Sequence, residues 1–318
     1  MFLASAIVFV NVIMIQSLQM PTAEGLFINR QFSETDILET PQRSIRTIVS
    51  KCPTCDCRIN TRKKRIVGGI EAEQNEFPWM AALSDLFRLH CGATLITKQH
   101  LLTAAHCVDE ITATGIKLGR IKALLGENIQ ELTYGISNKT VRIKEIILHP
   151  GYDREDPNSD NDIAILKLDR TISFNTPQIQ PACLPSSENQ DYAGYIGTVI
   201  GWGHTKERGQ RSKMLRKVKV PIVPTKYCRI NYSYLSYSVT DNMMCAGYYY
   251  SGGRNSCHGD SGGPLQINRD GLGTMEVVGI VSWSNGCGRP YYPGVYTRID
   301  RYIGWIRDNI GEECLCEI

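Results

Sequence analysis

Short apolar runs separated by turn-forming residues fill the chain from Ile66 onward, and this pattern limits what the chain can fold into. Gly, Asn, Asp and Pro occur between the runs. Because the runs are short and closely spaced, they predict an antiparallel β-barrel or β-sandwich. They are 93–96, 122–125, 141–148, 163–168, 198–202, 218–223, 277–283 and 294–297. Only 300–310 has the three- and four-residue spacing of apolar residues that predicts a helix, which we expect to pack on the sheet surface.

The N-terminal residues differ from the rest of the chain. Residues 2–15 are apolar apart from Ser5 and Asn11, and no charged residue precedes Glu24. This predicts a secretory signal peptide over 1–25 and therefore a secreted protein. A signal anchor that stays in the membrane is the alternative. The run is shorter than the roughly 20 apolar residues that span a bilayer, so we expect no stable membrane anchor.

Charge is distributed unevenly along the chain. Residues 26–65 carry nine Lys or Arg against four Asp or Glu and end in the basic run 62–65. With no sustained periodicity, they are interpreted as a loosely ordered pro-segment. Residues 66–318 hold 26 basic and 27 acidic residues, so we expect no nucleic-acid partner. The local basic stretch 206–219 is interpreted as a solvated loop and strand face, with an exosite for an acidic partner as the alternative.

The twelve cysteines are even in number and follow a predicted signal peptide, which indicates a disulfide framework formed outside the cytosol. Metal binding is the competing interpretation for Cys52, Cys55 and Cys57 and for Cys314 and Cys316. The six histidines do not cluster with these cysteines, so we expect no metal. Sequons at Asn138 and Asn231 predict glycosylated surface loops.

The stretch Gly259-Asp260-Ser261-Gly262-Gly263-Pro264 indicates chemistry. A serine hydroxyl needs a base for its proton and donors for the oxyanion that it creates. His106 follows an apolar run and can act as that base. Asp162 directly precedes another apolar run and can orient the imidazole. Each feature alone has an ordinary structural explanation, but the order His, Asp, Ser within one all-β domain predicts nucleophilic catalysis.

Over essentially all of 66–318, the sequence resembles the trypsin and chymotrypsin family of serine endopeptidases. The resemblance implies two packed antiparallel six-stranded Greek-key β-barrels with a C-terminal helix over 66–310, and it leaves 311–318 as a cysteine-containing tail. The motifs that carry it are Ile66-Val67-Gly68-Gly69, Thr103-Ala104-Ala105-His106-Cys107, Asp162-Ile163-Ala164, Gly201-Trp202-Gly203, the stretch at Ser261, Ser282-Trp283 and Pro293-Gly294-Val295-Tyr296.

The same resemblance implies roles for individual residues. Ser261 is the nucleophile, His106 the general base and later acid, and Asp162 the residue that orients His106. The N–H groups of Gly259 and Ser261 form the oxyanion hole. Cleavage between Arg65 and Ile66 frees an amine that pairs with Asp260 and orders the site.

The resemblance also implies disulfide pairs, namely Cys91–Cys107, Cys228–Cys245 and Cys257–Cys287. Cys183 is expected to bond one of Cys52, Cys55 and Cys57, which retains the pro-segment after cleavage. The remaining two can bond Cys314 and Cys316, with the individual pairs left open.

The residues implied for substrate binding are Asn255, Ser256, Ser282, Trp283, Ser284 and Gly294. Asn255 departs from trypsin, which has an aspartate at the floor of the specificity pocket. Ser284 stands where glycine is usual and narrows the entrance. We therefore expect weak selection for Arg or Lys and a pocket more suited to uncharged or aromatic residues. The tyrosines at 232, 234, 237 and 248–250 either wall the cleft or pack within loops.

The leading hypothesis is thus a secreted serine endopeptidase made as a zymogen. Its expected partners are a protein or peptide substrate, an activating protease and a protein inhibitor, and no cofactor is expected. The competing class is a catalytically silent homologue that acts as a binding or cofactor protein; loss of a triad residue would be its sign, and none is lost. The order of the triad excludes an esterase of the Gly-x-Ser-x-Gly type.

Overall fold

A computed structural model describes residues 55, 57–58, 69–84, 89–110, 118–128 and 139–318. The signal peptide, most of the pro-segment, Cys52, Arg65, Ile66 and Asn138 lie outside the described residues. The strands are β1 (Ile70–Glu71), β2 (Met80–Ser84), β3 (Leu89–Leu95), β4 (His100–Thr103), β5 (Lys122–Leu125), β6 (Thr140–Leu148), β7 (Ala164–Leu168), β8 (Ile196–Gly201), β9 (Arg216–Val223), β10 (Met243–Ala246), β11 (Pro264–Asn268), β12 (Met275–Trp283) and β13 (Gly294–Arg298).

Two antiparallel barrels form the fold. The first is closed in the order β2-β3-β4-β7-β6-β5. The second runs β9-β10-β13-β12-β11-β8 and closes because β8 also pairs with β9, while β1 adds to the free part of β9. The prediction of two six-stranded antiparallel barrels is therefore confirmed. No helix among these residues is both long and apolar enough to cross a membrane.

Two α-helices lie wholly within the described residues, α1 (Thr225–Ser233) and α2 (Ile303–Ile310). α2 buries Ile303, Ile306 and Ile310 and ends at Gly311, whose φ is 66°. The predicted C-terminal helix is thus present, but its first residues form a separate 3-10 turn, Ile299–Arg301. α1 was not predicted, because Cys228 and Tyr232 are its only buried residues and so short a pattern gives little periodic signal.

A continuous apolar core extends from the first barrel into the space between the barrels. Trp79 is fully buried there, and its Nε1 donates to Gln266 Oε1 on β11 at 2.9 Å. A second core cluster, which includes Leu265, Val278 and Tyr296, fills the second barrel. The barrels are therefore joined by packing and by a satisfied buried hydrogen bond, which fixes the residues at their shared edge.

Disulfides bond the segment around Cys57 to the connection between the barrels and to the C-terminal tail. Cys57 bonds Cys183, Cys55 bonds Cys316, and Cys314 is also disulfide-bonded. The amide of Leu184 donates to Cys316 O at 2.8 Å, so the tail lies along the connection between the barrels. The other disulfides are Cys91–Cys107, Cys228–Cys245 and Cys257–Cys287.

Candidate active site

His106 and Asp162 meet because of how the first barrel is paired. Thr103 at the end of β4 lies opposite Ala164 at the start of β7. His106 follows β4 in the 3-10 turn Ala105–Cys107, and Asp162 directly precedes β7. Asp162 Oδ1 accepts the backbone N–H of His106 at 2.9 Å, and Oδ2 lies 2.8 Å from His106 Nδ1. One carboxylate therefore fixes both the backbone and the ring of His106.

Two residues from the second barrel complete the surroundings of Asp162. Ser282 Oγ donates to Asp162 Oδ2 at 2.5 Å, and Thr297 Oγ1 donates to the backbone carbonyl of Asp162 at 2.8 Å. Burial raises the pKa of Asp162, but the charge and hydrogen bonds of His106 and the hydrogen bond from the Ser282 hydroxyl lower it by more. The net shift is downward, so the carboxyl stays ionised. Sequence reasoning assigned Ser282 to substrate binding and gave Thr297 no role.

The imidazole of His106 has the opposite shift. Burial lowers the pKa of His106, and the charge and hydrogen bond of Asp162 raise it by more, so it lies above 6.5. The side chain of His106 is 32% exposed, whereas that of Asp162 is fully covered. One edge of the imidazole is thus exposed, and the carboxylate is kept away from water. This arrangement suits an imidazole base whose ring is oriented by a buried carboxylate.

Ser261 lies at the same edge, on the turn that precedes β11. Its carbonyl accepts the N–H of Gly92 on β3 at 2.7 Å. A Cβ on Gly262 would lie 3.2 Å from Cys107 Sγ and 2.2 Å from Thr103 Oγ1, so only glycine fits there. The disulfide Cys91–Cys107 holds this corner together. No hydrogen bond joins Ser261 to His106 among the residues that the structure describes.

The turn before Ser261 has a backbone conformation that can bind an anion through amide N–H groups. Gly259 has a φ of 98°, which favours glycine. Within the described residues, neither its N–H nor that of Ser261 donates to a protein acceptor. A Cβ on Gly259 would lie 3.1 Å from Arg211 Nε. Two adjacent amides are thus available beside the serine, with a guanidinium close by.

Asp260, between these residues, points away from Ser261. Its Oδ1 accepts the N–H of Gly203 at 2.7 Å and its Oδ2 that of Cys257 at 2.9 Å. It lines a cavity of about 110 Å³ that also reaches Gly69 and Asn255. Burial raises the pKa of Asp260 to about 6, and the two amides and Arg211 oppose this only in part. No cation among the described residues forms an ion pair with it.

The residues assigned to the specificity pocket lie together at the end of the second barrel. A Cβ on Gly294 would come within 2.5 Å of Asn255 Oδ1, so the two are in direct contact. Ser256 is buried, and the hydroxyl of Ser284 is held by the carbonyl of Gly286 at 2.7 Å. The indole of Trp283 packs edge-on against Tyr232, with ring centroids 4.8 Å apart.

The tyrosines divide into two groups. Tyr232 and Tyr237 contact Trp283, whereas Tyr249 packs against Tyr250 and Tyr291. Asn231 Nδ2 donates to Tyr249 Oη at 2.8 Å and to the carbonyl of Tyr291 at 2.9 Å. Both hydrogens of this amide are in use, so a glycan on Asn231 would replace one of these bonds.

Other charged features have local partners. Lys217, in the basic stretch 206–219, is buried and paired with Glu76. Its neighbour Lys219 is exposed. Glu127 forms an ion pair with Lys139 at 2.9 Å. In the part of the chain that the structure describes, the sets of side chains close enough to share a metal consist of disulfide-bonded cysteines, with His106 beside one pair, so these sets offer no thiolate ligands.

Comparisons with known proteins identify the family of this chain. The model of the Trypsin family matches residues 66–306. The chain is also 35% identical over 281 residues to CLIP domain-containing serine protease B4 from Anopheles gambiae, a match that covers 83% of this chain and 75% of that protein.

Proposed function

The chain belongs to the trypsin family of serine proteases, and from that membership we propose that it is a secreted serine endopeptidase made as a zymogen. The observation that carries the proposal is the double contact of Asp162 with the backbone and ring of His106. This contact favours the imidazole tautomer with the proton on Nδ1, so Nε2, which lies 3.8 Å from Cys107 Sγ, can accept a proton. Ser261 lies on the adjoining turn.

The proposed mechanism follows from these contacts. His106 Nε2 removes the proton of Ser261 as Oγ attacks the carbonyl carbon of the substrate. The resulting oxyanion accepts hydrogen bonds from the amides of Gly259 and Ser261, each of which typically contributes about 3 kcal/mol to transition-state stabilisation. Asp162 stabilises the imidazolium that forms. His106 then donates its proton to the leaving amine, and water hydrolyses the acyl-enzyme by the same steps in reverse.

Activation is proposed to occur by cleavage between Arg65 and Ile66 by a separate protease. The new amine of Ile66 would enter the cavity at Asp260 and pair with its carboxylate. Support comes from the raised pKa of Asp260, a buried carboxylate that has no ion-pair partner among the described residues, and from Gly69 at the wall of that cavity. Secretion through the signal peptide over 1–25, and control by a protein inhibitor, belong to the same proposal.

The specificity pocket is proposed to favour uncharged or aromatic residues over Arg and Lys. Asn255 is neutral, so a cationic side chain that enters the pocket would lose its hydration without gaining an opposing charge there. A Cβ at position 294 would come within 2.5 Å of Asn255 Oδ1, so glycine there makes room for the Asn255 side chain itself.

The test uses the full chain, cleaved after Arg65, on an unbiased peptide library. We expect cleavage that appears only after activation, and Ser261→Ala should lower kcat/KM by about 10⁴-fold or more. Ser187→Ala, which changes an exposed serine, is the matched control and should leave the activity intact. A cleaved chain without Ser261-dependent activity would instead favour the catalytically silent homologue.

A further inference from the structure

The β8–β9 loop (202–215) carries an excess of positive charge. Its one acidic residue is Glu207, and its four basic residues are Lys206, Arg208, Arg211 and Lys213. All four basic side chains are exposed. Residues 66–318 together hold 26 basic and 27 acidic residues, so this excess is a local feature of a domain that is otherwise balanced in charge.

The single acid of the loop is already paired with a cation from outside it. Glu207 accepts two hydrogen bonds from the guanidinium of Arg289, at 2.5 Å to Oε1 and at 3.1 Å to Oε2. This two-point contact occupies both oxygens of the carboxylate. Lys206, Arg208 and Lys213 form no ion pair with any residue that the structure describes. Their charges are therefore available to an anion from another molecule.

Backbone hydrogen bonds shape the loop into a hairpin and attach it to the candidate active site. The N–H of Thr205 donates to the carbonyl of Gln210 at 3.2 Å, which closes the hairpin. At its base, the N–H of His204 donates to the carbonyl of His258 at 2.9 Å. His258 directly precedes Gly259, one of the two proposed oxyanion donors. The hairpin therefore presents its cations at a defined position beside the candidate active site.

Arg211 extends the positive charge to the proposed oxyanion donors. A Cβ on Gly259 would lie 3.1 Å from Arg211 Nε, so the side chain packs directly against this glycine. The charged surface is thus continuous with the place where the cleaved bond would lie. A polypeptide held at Ser261 extends beyond the site on both sides of that bond, and the β8–β9 loop borders the site beside Gly259. This continuity favours a segment of the substrate chain itself as the occupant, with acidic residues that complement the loop.

We propose that Lys206, Arg208 and Lys213 form an exosite that binds an acidic segment of the protein substrate, outside the specificity pocket. This inference rests on the proposed function. Each contact between exposed charges is weak, so recognition requires several carboxylates that act together. Complementary charge also raises the rate at which such a substrate meets the enzyme. The exosite thus selects which protein is cleaved, whereas the pocket selects the residue before the cleaved bond.

The test compares peptides that share the same residues around the cleaved bond. The activated full-length enzyme is given a neutral peptide and a series in which a run of three glutamates is moved stepwise away from the bond on either side. We expect one placement to lower KM by about tenfold at low ionic strength. The kcat should change little, because the exosite contacts are the same in the bound substrate and in the transition state. If no placement lowers KM, the inference is wrong.

Variants then show whether the loop causes the effect. Replacing its three unpaired cations should reduce the ratio of kcat/KM for the acidic and the neutral peptide to near one, in Lys206→Ser/Arg208→Ser/Lys213→Ser. The matched control removes three exposed lysines elsewhere and should keep the wild-type ratio, in Lys98→Ser/Lys144→Ser/Lys226→Ser. A ratio that falls equally in both triple variants would reflect net charge alone and would overturn the inference.

A binding measurement separates this inference from the proposed function. In activated Ser261→Ala, the labelled acidic peptide should bind about tenfold more tightly than the neutral peptide at low ionic strength, and this difference should disappear at about 1 M salt. Equal binding of the two peptides would overturn the inference even if the enzyme is active. Binding of heparin through the same side chains without binding of the acidic peptide would overturn it in favour of a sulfated glycan. Selective binding of the acidic peptide without any cleavage by the activated wild type would count against the proposed function alone.

Discussion

The carboxylate of Asp162 collects donors from distant parts of the chain. His106 contributes its backbone N–H and ring, and Ser282 contributes its hydroxyl. A buried carboxylate with this many donors remains charged, and its charge stabilises the protonated imidazole. Asp162 therefore controls the pH at which His106 is available as a base.

We predict a measurable consequence for the pH dependence of activity. His106 must be neutral to accept a proton, and its pKa lies above 6.5 because the charge of Asp162 outweighs the effect of burial. The kcat/KM of the activated enzyme should therefore rise with pH, with a midpoint above 6.5. In Asp162→Asn the loss of charge should move the midpoint to lower pH, and kcat should fall by about 10⁴-fold.

Asp153→Asn is the control for this experiment, since it removes one exposed carboxylate elsewhere on the surface. Its pH midpoint should match that of the wild type. If the residual activity of Asp162→Asn had the wild-type midpoint, Asp162 would not be the residue that sets the pKa of His106.

Sequence motifs predicted only some of the residues at the candidate site. His106, Asp162 and Ser261 were proposed from sequence because their chemistry requires those residue types in recognisable surroundings. The bond from Ser282 to Asp162 joins residues 120 positions apart and depends on how β12 ends beside β7, so no local pattern reveals it. The identity of Asn255 was visible in the sequence, whereas the orientation of its amide depends on the backbone N–H of Ser256, which Oδ1 accepts.

At the scale of elements, β9 shows how packing changes the meaning of a pattern. Lys217 and Lys219 alternate with apolar residues, which predicted a strand with a basic, solvated face. Lys219 is exposed, but Lys217 is buried, pairs with Glu76 and lies 5.9 Å from the ring centroid of Phe77. The segment before β2 packs over this part of β9. Sequence periodicity cannot predict that another segment will bury one residue of a strand face.

The buried Lys217–Glu76 pair gives a prediction for stability. In Lys217→Met the carboxylate of Glu76 would stay buried with only the amide of Glu73 as a donor, at 2.9 Å. We expect the free energy of unfolding to fall by about 3–5 kcal/mol, measured by urea denaturation with the disulfides intact. The double variant Lys217→Met/Glu76→Leu should recover most of this loss, because no unpaired charge remains.

Lys219→Met is the matched control on the same strand. Lys219 is exposed, so its replacement should change the free energy of unfolding by about 0.5 kcal/mol or less. A loss in Lys217→Met no greater than that in Lys219→Met would show that the buried ion pair does not stabilise the junction between β9 and the segment before β2.

All eight predicted apolar runs coincide with strands, because each run packs one or both faces against a barrel core. Strands β1, β2, β4, β10 and β11 were not among the predicted runs, although all of these except β1 are largely buried. Their residues include small or polar side chains such as Ala81, Ala82 and Gln266, which are buried by their neighbours. A pattern based on large apolar residues alone misses strands of this kind.

At the scale of the whole molecule, disulfides connect the segment around residues 55–57 to the protease domain. Cys55 bonds Cys316, and Cys57 bonds Cys183. Cleavage after Arg65 would cut the chain on the C-terminal side of both cysteines. We therefore predict that the cleaved protein migrates as one species on a non-reducing gel and as two species after reduction. Cys57→Ser alone should still migrate as one species, because Cys55–Cys316 remains; release of the N-terminal fragment without reduction would contradict the prediction.

Cleavage should also change how stability depends on pH. In the uncleaved chain the pKa of Asp260 is raised from 3.8 to about 6 by burial. Between these pH values the folded state holds more protons than the unfolded state, so the contribution of Asp260 to the free energy of unfolding falls as pH rises. The full decrease is at most about 3 kcal/mol, at about 1.4 kcal/mol per pKa unit.

After cleavage the sign should reverse. A cationic amine from Ile66 beside Asp260 would lower the pKa of its carboxyl below the unfolded value, so its contribution would be present above pH 4 and lost at lower pH. The free energy of unfolding should be measured at pH 4 and at pH 7. The value at pH 7 minus the value at pH 4 should be larger for the cleaved protein than for the uncleaved protein. Uncleaved Asp260→Asn is the control. Its free energy of unfolding should lack the decrease from pH 4 to pH 7 that Asp260 causes in the uncleaved wild type. Equal pH dependence in cleaved and uncleaved protein would mean that no cation reaches Asp260, and the proposed activation step would fail with it.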